Sequence, residues 1–338
     1  MITQCLPVAE DAIKLAALLL KEGQVVAFPT ETVYGLGADA LNESAVRAIF
    51  AAKERPADNP LIVHVAEESQ LDGLCQVTET AKKLMRAFWP GPLTMLLMKT
   101  DRVPAVTTAG LPSVAVRCPN HPAALRLLRE CHLPIAAPSA NRSGRPSPTT
   151  ARHVYEDMQG RIPLILDGGS CQVGVESTVV DLTGDVPCVL RPGAVTPEMI
   201  AAVAGECAVA PSVMRPLKEG EHAPSPGMKH RHYAPKAKMT LFVGEDEKVA
   251  REMARRYDAA ANAVILCHTG LMPLFGDRRV FPLGDSPMES AHVLFQRLRE
   301  MDELGVSLIL AQGWETRGEG LAVMNRMARA AAFDIVNV

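Results

Sequence analysis

Strand and helix periodicity fails once along this chain, across "APSVMRPLKEGEHAPSPGMKHRHYAPKAK", Ala210 to Lys238. Prolines fix φ and lack a backbone donor, glycines resist ordering, and the interleaved basic residues give no apolar face to bury. The break predicts a first unit over 1–207, a linker over 208–238 and a second unit over 239–338. A chain of 338 residues has room for about two domains.

Before the break, "DAIKLAALLLKEG" reads as an amphipathic helix stopped at Gly23, and "QVVAF" as a short buried strand closed by Pro29. Strand-like runs follow at "LIVHV", "LTMLLM", "SVAVR", "IAAPS", "PLILDGG", "STVVDL" and "CVLRPG", interleaved with helical patterns such as "ESAVRAIFAAK" and "TETAKKLMRAF". This is an α/β or α+β pattern. After the break, "MTLFVG", "AVILCH" and "SLILAQG" alternate with "EDEKVAREMARRY", "MESAHVLFQRLREMDELG" and "LAVMNRMARAAA". Regular strand–helix alternation predicts a smaller Rossmann-like domain on a parallel sheet.

Composition excludes several classes of function. The net charge of -3 gives no global basic field for nucleic acid or membrane, and aromatics at 4% are too few for a broad base-stacking platform. The apolar run "LAALLL" stops at Lys21 and Glu22, short of the roughly 20 residues that span a bilayer. The N-terminus has no basic region followed by a cleavage pattern. The eight cysteines are scattered without a C-x-x-C pair, so each reads as a small buried hydrophobe in a reduced, cytoplasmic protein.

Polar clusters sit just past several strands, where ligand sites of such sheets collect. "KERPADNPLIVH" presents Lys53, Arg55, Asn59 and His64 on a segment stiffened by Pro56 and Pro60. These donors suit a polyphosphate, although a solvated helix end with favourable cations accounts for the segment taken alone. "PTETVYGLG" places Thr30 and Thr32 beside Glu31, and "SVAVR" sends Arg117 off a strand end as a fork for a carboxylate. "APSANRSGRPSPT" holds Ser139, Asn141, Ser143 and Ser147 among prolines, while "VESTVVD" and "LRPG" add Ser177, Thr178 and Arg191. There is no Ser-His-Asp order and no metal-ligand spacing, which favours positioning and charge stabilisation over covalent catalysis. "GLGADA" from Gly35 matches a dinucleotide fingerprint, but "PTETVY" separates it from the preceding strand, so its glycines are assigned to a tight turn.

Taken in order, "PTETVYGLG", "KERPADNPLIVH", "WPGPLT", "SVAVR", "PSANRSGRPSPT", "ESTVVD" and "RPG" resemble the YrdC/Sua5 family, and "SPGMKHRHYAP" resembles the linker of its two-domain Sua5 branch. The resemblance implies a YrdC-like twisted mixed-sheet catalytic domain followed by a Rossmann-like Sua5 C-terminal domain. It implies synthesis of L-threonylcarbamoyladenylate and pyrophosphate from L-threonine, bicarbonate or CO2, and ATP with Mg2+. That product serves t6A modification of tRNA at position 37 through a separate threonylcarbamoyltransferase, with tRNA contacted only indirectly or weakly.

Carried over motif by motif, Thr32, His64, Arg117, Ser177 and the Ala137 backbone resemble a threonine site. Lys53, Arg55, Asn59, Ser113, Ser139, Asn141, Ser147 and Arg191 resemble an ATP site, with Lys53 and Arg55 meeting the leaving-group charge. His230, His232 and Tyr233 would belong to a linker acting as lid, with Tyr233 over the nucleotide; a metal site or a plain tether are the alternatives. Two rivals from other classes stand beside this reading. One is an RNA-binding module, which the near-neutral charge disfavours; the other is a carbamoyl-transfer enzyme of hydrogenase maturation, whose C-x-x-C modules the chain lacks.

Overall fold

The computed structural model describes residues 1–215 and 233–338. The expected lid residues His230 and His232 lie outside the described residues.

The first helix, Glu10–Lys21, has Glu10 and Asp11 in its first turn and Lys21 in its last, matching the helix dipole, and buries Ala12, Ile13, Ala16, Ala17 and Leu20. It packs with the Pro122–Cys131 helix on one face of an extended sheet. Helices Glu43–Lys53, Glu79–Phe88, Ala151–Met158 and Pro197–Ala204 cover the other face. Among the described residues this sheet has eleven strands, with both parallel and antiparallel pairs.

Its centre positions the polar clusters. The strands Gly35–Asp39, Ile135–Ala136, Ile62–His64, Ser113–Arg117, Leu93–Met98 and Thr178–Asp181 lie side by side in that order. Ile62–His64 and Ser113–Arg117 are parallel, with His64 in register with Arg117. Leu93–Met98 runs antiparallel to Ser113–Arg117 and parallel to Thr178–Asp181. Ser177 therefore enters its strand at the end where His64 and Arg117 leave theirs.

Two local expectations are corrected. "GLGAD" is not a turn but the strand Gly35–Asp39, antiparallel to Val26–Phe28. Its glycines admit neighbours: a Cβ at Gly37 would stand 2.7 Å from the Phe28 ring and 2.8 Å from Ile135. The linker also begins later than periodicity suggests, because Ala208–Val209 adds a short parallel strand beside Cys188–Arg191. Two residues of backbone pairing carry no readable period.

Among the described residues the second unit holds a five-stranded, wholly parallel sheet in the order Val280–Pro282, Ala263–Cys267, Leu308–Gln312, Lys238–Val243, Ile335–Asn337. Its short edge strands Val280–Pro282 and Ile335–Asn337 escape sequence reading for the same reason. Helix Pro287–Glu303 starts with a full capping box between Ser286 and Glu289. Together with helix Gly320–Ala330 it faces the first unit, where Val33 and Val175 join an apolar cluster with Phe295, Val323 and Met327. The approach is close: a Cβ at Gly174 would meet the Ala291 carbonyl oxygen at 2.4 Å and the His292 Cα at 2.5 Å.

The Gly37 contact generates a stability test. Gly37→Ala forces a methyl between Phe28 and Ile135, and overpacking of this kind costs about 1 to 3 kcal/mol. Urea denaturation should show the loss; an unchanged midpoint and slope would mean that the strand pair relaxes freely.

Candidate active site

The Glu43–Lys53 helix is capped by Asn42, whose side chain accepts from the Ser44 and Ala45 amides at 3.0 and 3.2 Å. It ends sharply at Glu54, which takes a left-handed conformation at φ 53°. Both Lys53 and Arg55 are presented by this helix end. Lys53 turns inward: its ammonium donates to the Ser139 carbonyl and, at 2.6 Å, to the Asn141 carbonyl. A buried ammonium requires such acceptors. Burial, and then the charge of Arg55, holds its pKa well below the usual lysine range. Lys53 therefore braces the loop that carries Ser139 and Asn141 and does not line the cleft beside it. Asn141 tightens the same loop by donating to the Arg142 and Arg145 carbonyls, each at 2.8 Å.

At the neighbouring strand ends, Arg117 is 4% exposed and already engaged. Its guanidinium donates to Thr32 Oγ1 at 3.0 Å and to the Gly91 carbonyl at 3.3 Å. It also lies 2.7 Å from the Glu31 carboxylate, an ion pair outside hydrogen-bond geometry. Thr30 and Thr32 share a hydroxyl contact at 2.8 Å, and Thr94 and Ser177 another at 2.7 Å. His64 sits among these groups with Nδ1 3.2 Å from the Ile62 carbonyl. Burial, reinforced by the Arg117 charge, lowers its pKa to about 3. The imidazole is neutral in ordinary buffers.

Beyond this polar floor lie two cations of a different kind. Arg191 donates from Nε to the Ser177 carbonyl at 3.0 Å and from Nη2 to Ser177 Oγ at 3.1 Å. The Nε and Nη2 atoms of Arg55 are buried without a hydrogen-bond partner among the described residues, as are both amide atoms of Asn59. Burial is the main cause that lowers both arginines to about 10. A guanidinium withdrawn from water without acceptors is costly, and an anion in the cleft would supply them.

The cleft has about 670 Å³ of empty space, part of it open to solvent. Its walls bring together Thr32, Arg55, His64, Arg117, Ala137, Ser139, Asn141, Ser147, Ser177, Arg191 and Tyr233 from the residues marked in the sequence. Asn59 and Ser113 are not on this wall; Ser113 starts the strand that Arg117 ends, about 13 Å away along it. Sequence reasoning passed over Glu176 and Arg145, which also line the cleft, although both stand inside the quoted "ESTVVD" and "PSANRSGRPSPT" motifs. Glu176 accepts from Ser147 Oγ and from Arg326 Nε, the latter at 2.9 Å. Burial pushes its carboxyl up, but the charges of Arg326 and Arg191 and these two hydrogen bonds outweigh burial and hold it low. Tyr233 reaches the cleft with a positive φ of 61° and stacks on Phe295 of the second unit, ring centres 5.1 Å apart.

The chain is similar to known proteins along both units. Residues 18–193 match the Sua5/YciO/YrdC family model, described as "Telomere recombination", and residues 195–332 match the "Threonylcarbamoyl-AMP synthase, C-terminal domain" model. A threonylcarbamoyl-AMP synthase of Pyrococcus abyssi is 49% identical over 98% of this chain and 97% of its own length. One from Bacillus subtilis is 45% identical over 99% and 97% respectively. The crystal structure of the Pyrococcus abyssi Sua5 protein complexed with L-threonine superposes with a TM-score of 0.93 at 46% identity, covering 100% of both chains. This chain belongs to the two-domain, Sua5-type family of threonylcarbamoyl-AMP synthases, enzymes of the nucleotidyltransferase type.

Proposed function

We propose that this protein joins L-threonine, bicarbonate or CO2, and ATP into L-threonylcarbamoyladenylate, releasing pyrophosphate, in the cytoplasm, and passes the product to a separate tRNA threonylcarbamoyltransferase. The observation that carries the reading is one cleft with two kinds of arginine: Arg117 held among hydroxyls, and Arg55 with buried donors unanswered. The first kind suits an amino-acid carboxylate, whose oxygens can share an oriented fork. The second suits phosphate oxygens.

In this reading the threonine amine adds CO2 to give a carbamate, losing a proton, or condenses with bicarbonate, losing water. A carbamate oxygen then attacks the α-phosphorus in line, its bond forming as the bond to the β-phosphate oxygen breaks and pyrophosphate leaves. Arg55 and Arg191 stabilise the charge that develops on the leaving group, and Lys53 acts by holding the Ser139–Asn141 loop. Mg2+ enters as part of the substrate, MgATP. Glu31 and Glu176 are already paired with Arg117 and Arg326, so phosphate oxygens are its natural ligands. No covalent nucleophile is required. Cys171, buried beneath the site, has its thiol pushed up to about 12, mainly by burial, and is not a thiolate.

Four measurements test the reading. Pyrophosphate release should require threonine and bicarbonate together; release of phosphate in its place would defeat the adenylation mechanism. By calorimetry, Arg117→Ala should chiefly weaken threonine and Arg55→Ala chiefly ATP, each by about 2 to 5 kcal/mol for a desolvated charge contact. Normal threonine binding by folded Arg117→Ala would overturn the assignment of the two halves.

The third measurement concerns His64. In the unfolded chain its ring takes a proton below about pH 6.5, whereas in the fold it refuses one until about 3, so this group lowers stability as pH falls through that window. Its ring resonances in NMR should stay fixed between about pH 8 and pH 5. A midpoint near neutrality would place a charged imidazole in the site.

The fourth separates a lid from a wall. Tyr233 lines the cleft, and the neighbouring Ala234 amide donates to the Gly144 carbonyl at 3.1 Å. Excluding water protects a labile mixed anhydride. Tyr233→Ala should lower intact adenylate formed per pyrophosphate released; an unchanged ratio would reduce Tyr233 to packing.

A further inference from the structure

The cleft at the carboxyl ends of the second sheet sets Asp246, Glu315 and Glu319 against Arg317 and three helix N-termini, opposed charges that select no one class of ligand. The interface between the two units is more specific. Arg299 and Arg326 are the largest fully buried side chains of the described residues, and both leave second-unit helices to enter the first unit. Arg299 bonds Asp157 at 2.7 Å and the Pro146 carbonyl at 2.6 Å. Arg326, with no exposure at all, reaches the wall of the active-site cleft itself.

Every arm of the Arg326 guanidinium is used. Nε donates to Glu176 Oε2 at 2.9 Å, Nη2 to the Glu176 carbonyl at 3.2 Å, and Nη1 to the Pro192 carbonyl at 2.7 Å and Asn325 Oδ1 at 2.9 Å. Glu176 passes the constraint on through its other oxygen, which accepts from Ser147 Oγ. Glu176 precedes Ser177, and Pro192 follows Arg191. Arg191 bonds Ser177 inside the cleft, so the same two segments are pinned on the inner side by Arg191 and on the outer side by Arg326. A buried ion pair is no more stabilising than a well-packed apolar pair of similar volume, but its fork fixes direction.

We infer that Arg326 is a positioning residue for the synthase reaction: the second unit sets the direction of Glu176, Ser147 and Arg191, and thereby the nucleotide half of the cleft. This rests on the function proposed above. It assigns the second unit a part in the catalytic geometry without contact with the reacting atoms. Lysine cannot replace the arginine, because one ammonium cannot reach acceptors on both segments in the plane of the fork.

The test compares Arg326→Lys, Arg326→Met, Glu176→Gln and the double variant Arg326→Met with Glu176→Gln in the full chain. KM for MgATP and for threonine, kcat for pyrophosphate release, and the melting temperature are measured for each. The expected result for Arg326→Lys is a KM for ATP raised about tenfold or more, as when a charge-assisted hydrogen bond goes out of register, with a smaller change for threonine. Arg326→Met and Glu176→Gln should be non-additive in the double variant, since one acts through the other.

A merely structural arginine would reduce the amount of folded enzyme, hence apparent kcat, and leave both KM values alone. That outcome, or wild-type constants in folded Arg326→Lys, or additive effects in the double variant, overturns the inference. If Arg326→Met does not fold, Arg326→Lys alone decides through its KM values. Wild-type protein that makes no adenylate would instead defeat the proposed function, so the two failures are distinct.

Discussion

Buried guanidinium groups set the terms for the rest of this structure. Arg117, Arg191, Arg299 and Arg326 are all at least nine-tenths buried, and none can lose its proton to escape the cost of desolvation. Each must find acceptors, and the arrangement of those acceptors shapes both the interface and the cleft. Arg299 and Arg326 find carboxylates and carbonyls across the interface. Arg117 finds Glu31, Thr32 and Gly91 within the first unit. Arg55 differs, because its buried Nε and Nη2 find no such partner among the described residues and are left as donors that an anion could answer.

The electrostatics of the cleft fit chemistry by orientation. His64 is kept neutral beside Arg117, and a pKa lowered to about 3 makes its ring a weak general base. Lys53 is drawn into a loop, and Cys171 is held as a thiol. What remains directed at the open space is a set of hydroxyls and fixed positive charges. Such a set can align an amino acid and a triphosphate and neutralise a leaving group at little reorganisation cost.

The two units share more than a covalent link. The Phe295 ring that stacks on Tyr233 and the Arg326 guanidinium that bonds Glu176 belong to adjacent helices of the second unit. Gly174 lets the first of these helices approach the backbone beside the cleft more closely than any side chain would permit. Packing on one side of the interface and hydrogen-bond geometry on the other are thus coupled through a single rigid pair of helices.

Local periodicity was enough to locate the longer elements: "ESAVRAIFAAK" is the helix Glu43–Lys53, and "SVAVR" is the strand Ser113–Arg117, because side-chain pattern over about one to three turns reports which face is buried. Ordered motifs also marked Thr32, Arg55, His64, Arg117, Ser177 and Arg191, which the fold gathers on one wall. Local pattern failed where a residue's role depends on something distant. Gly35 and Gly37 looked like a turn because glycine is common there, and only the Phe28 ring lying across them explains a strand. Lys53 and Arg55 are two residues apart and equally cationic, yet the loop carbonyls that turn one of them away come from 86 and 88 residues further along. Arg326 had no signal in "LAVMNRMARAAA", where it reads as one polar position of an amphipathic helix. Its part is decided by Glu176, 150 residues away in sequence and 2.9 Å away in the fold, a relation that no local period can carry.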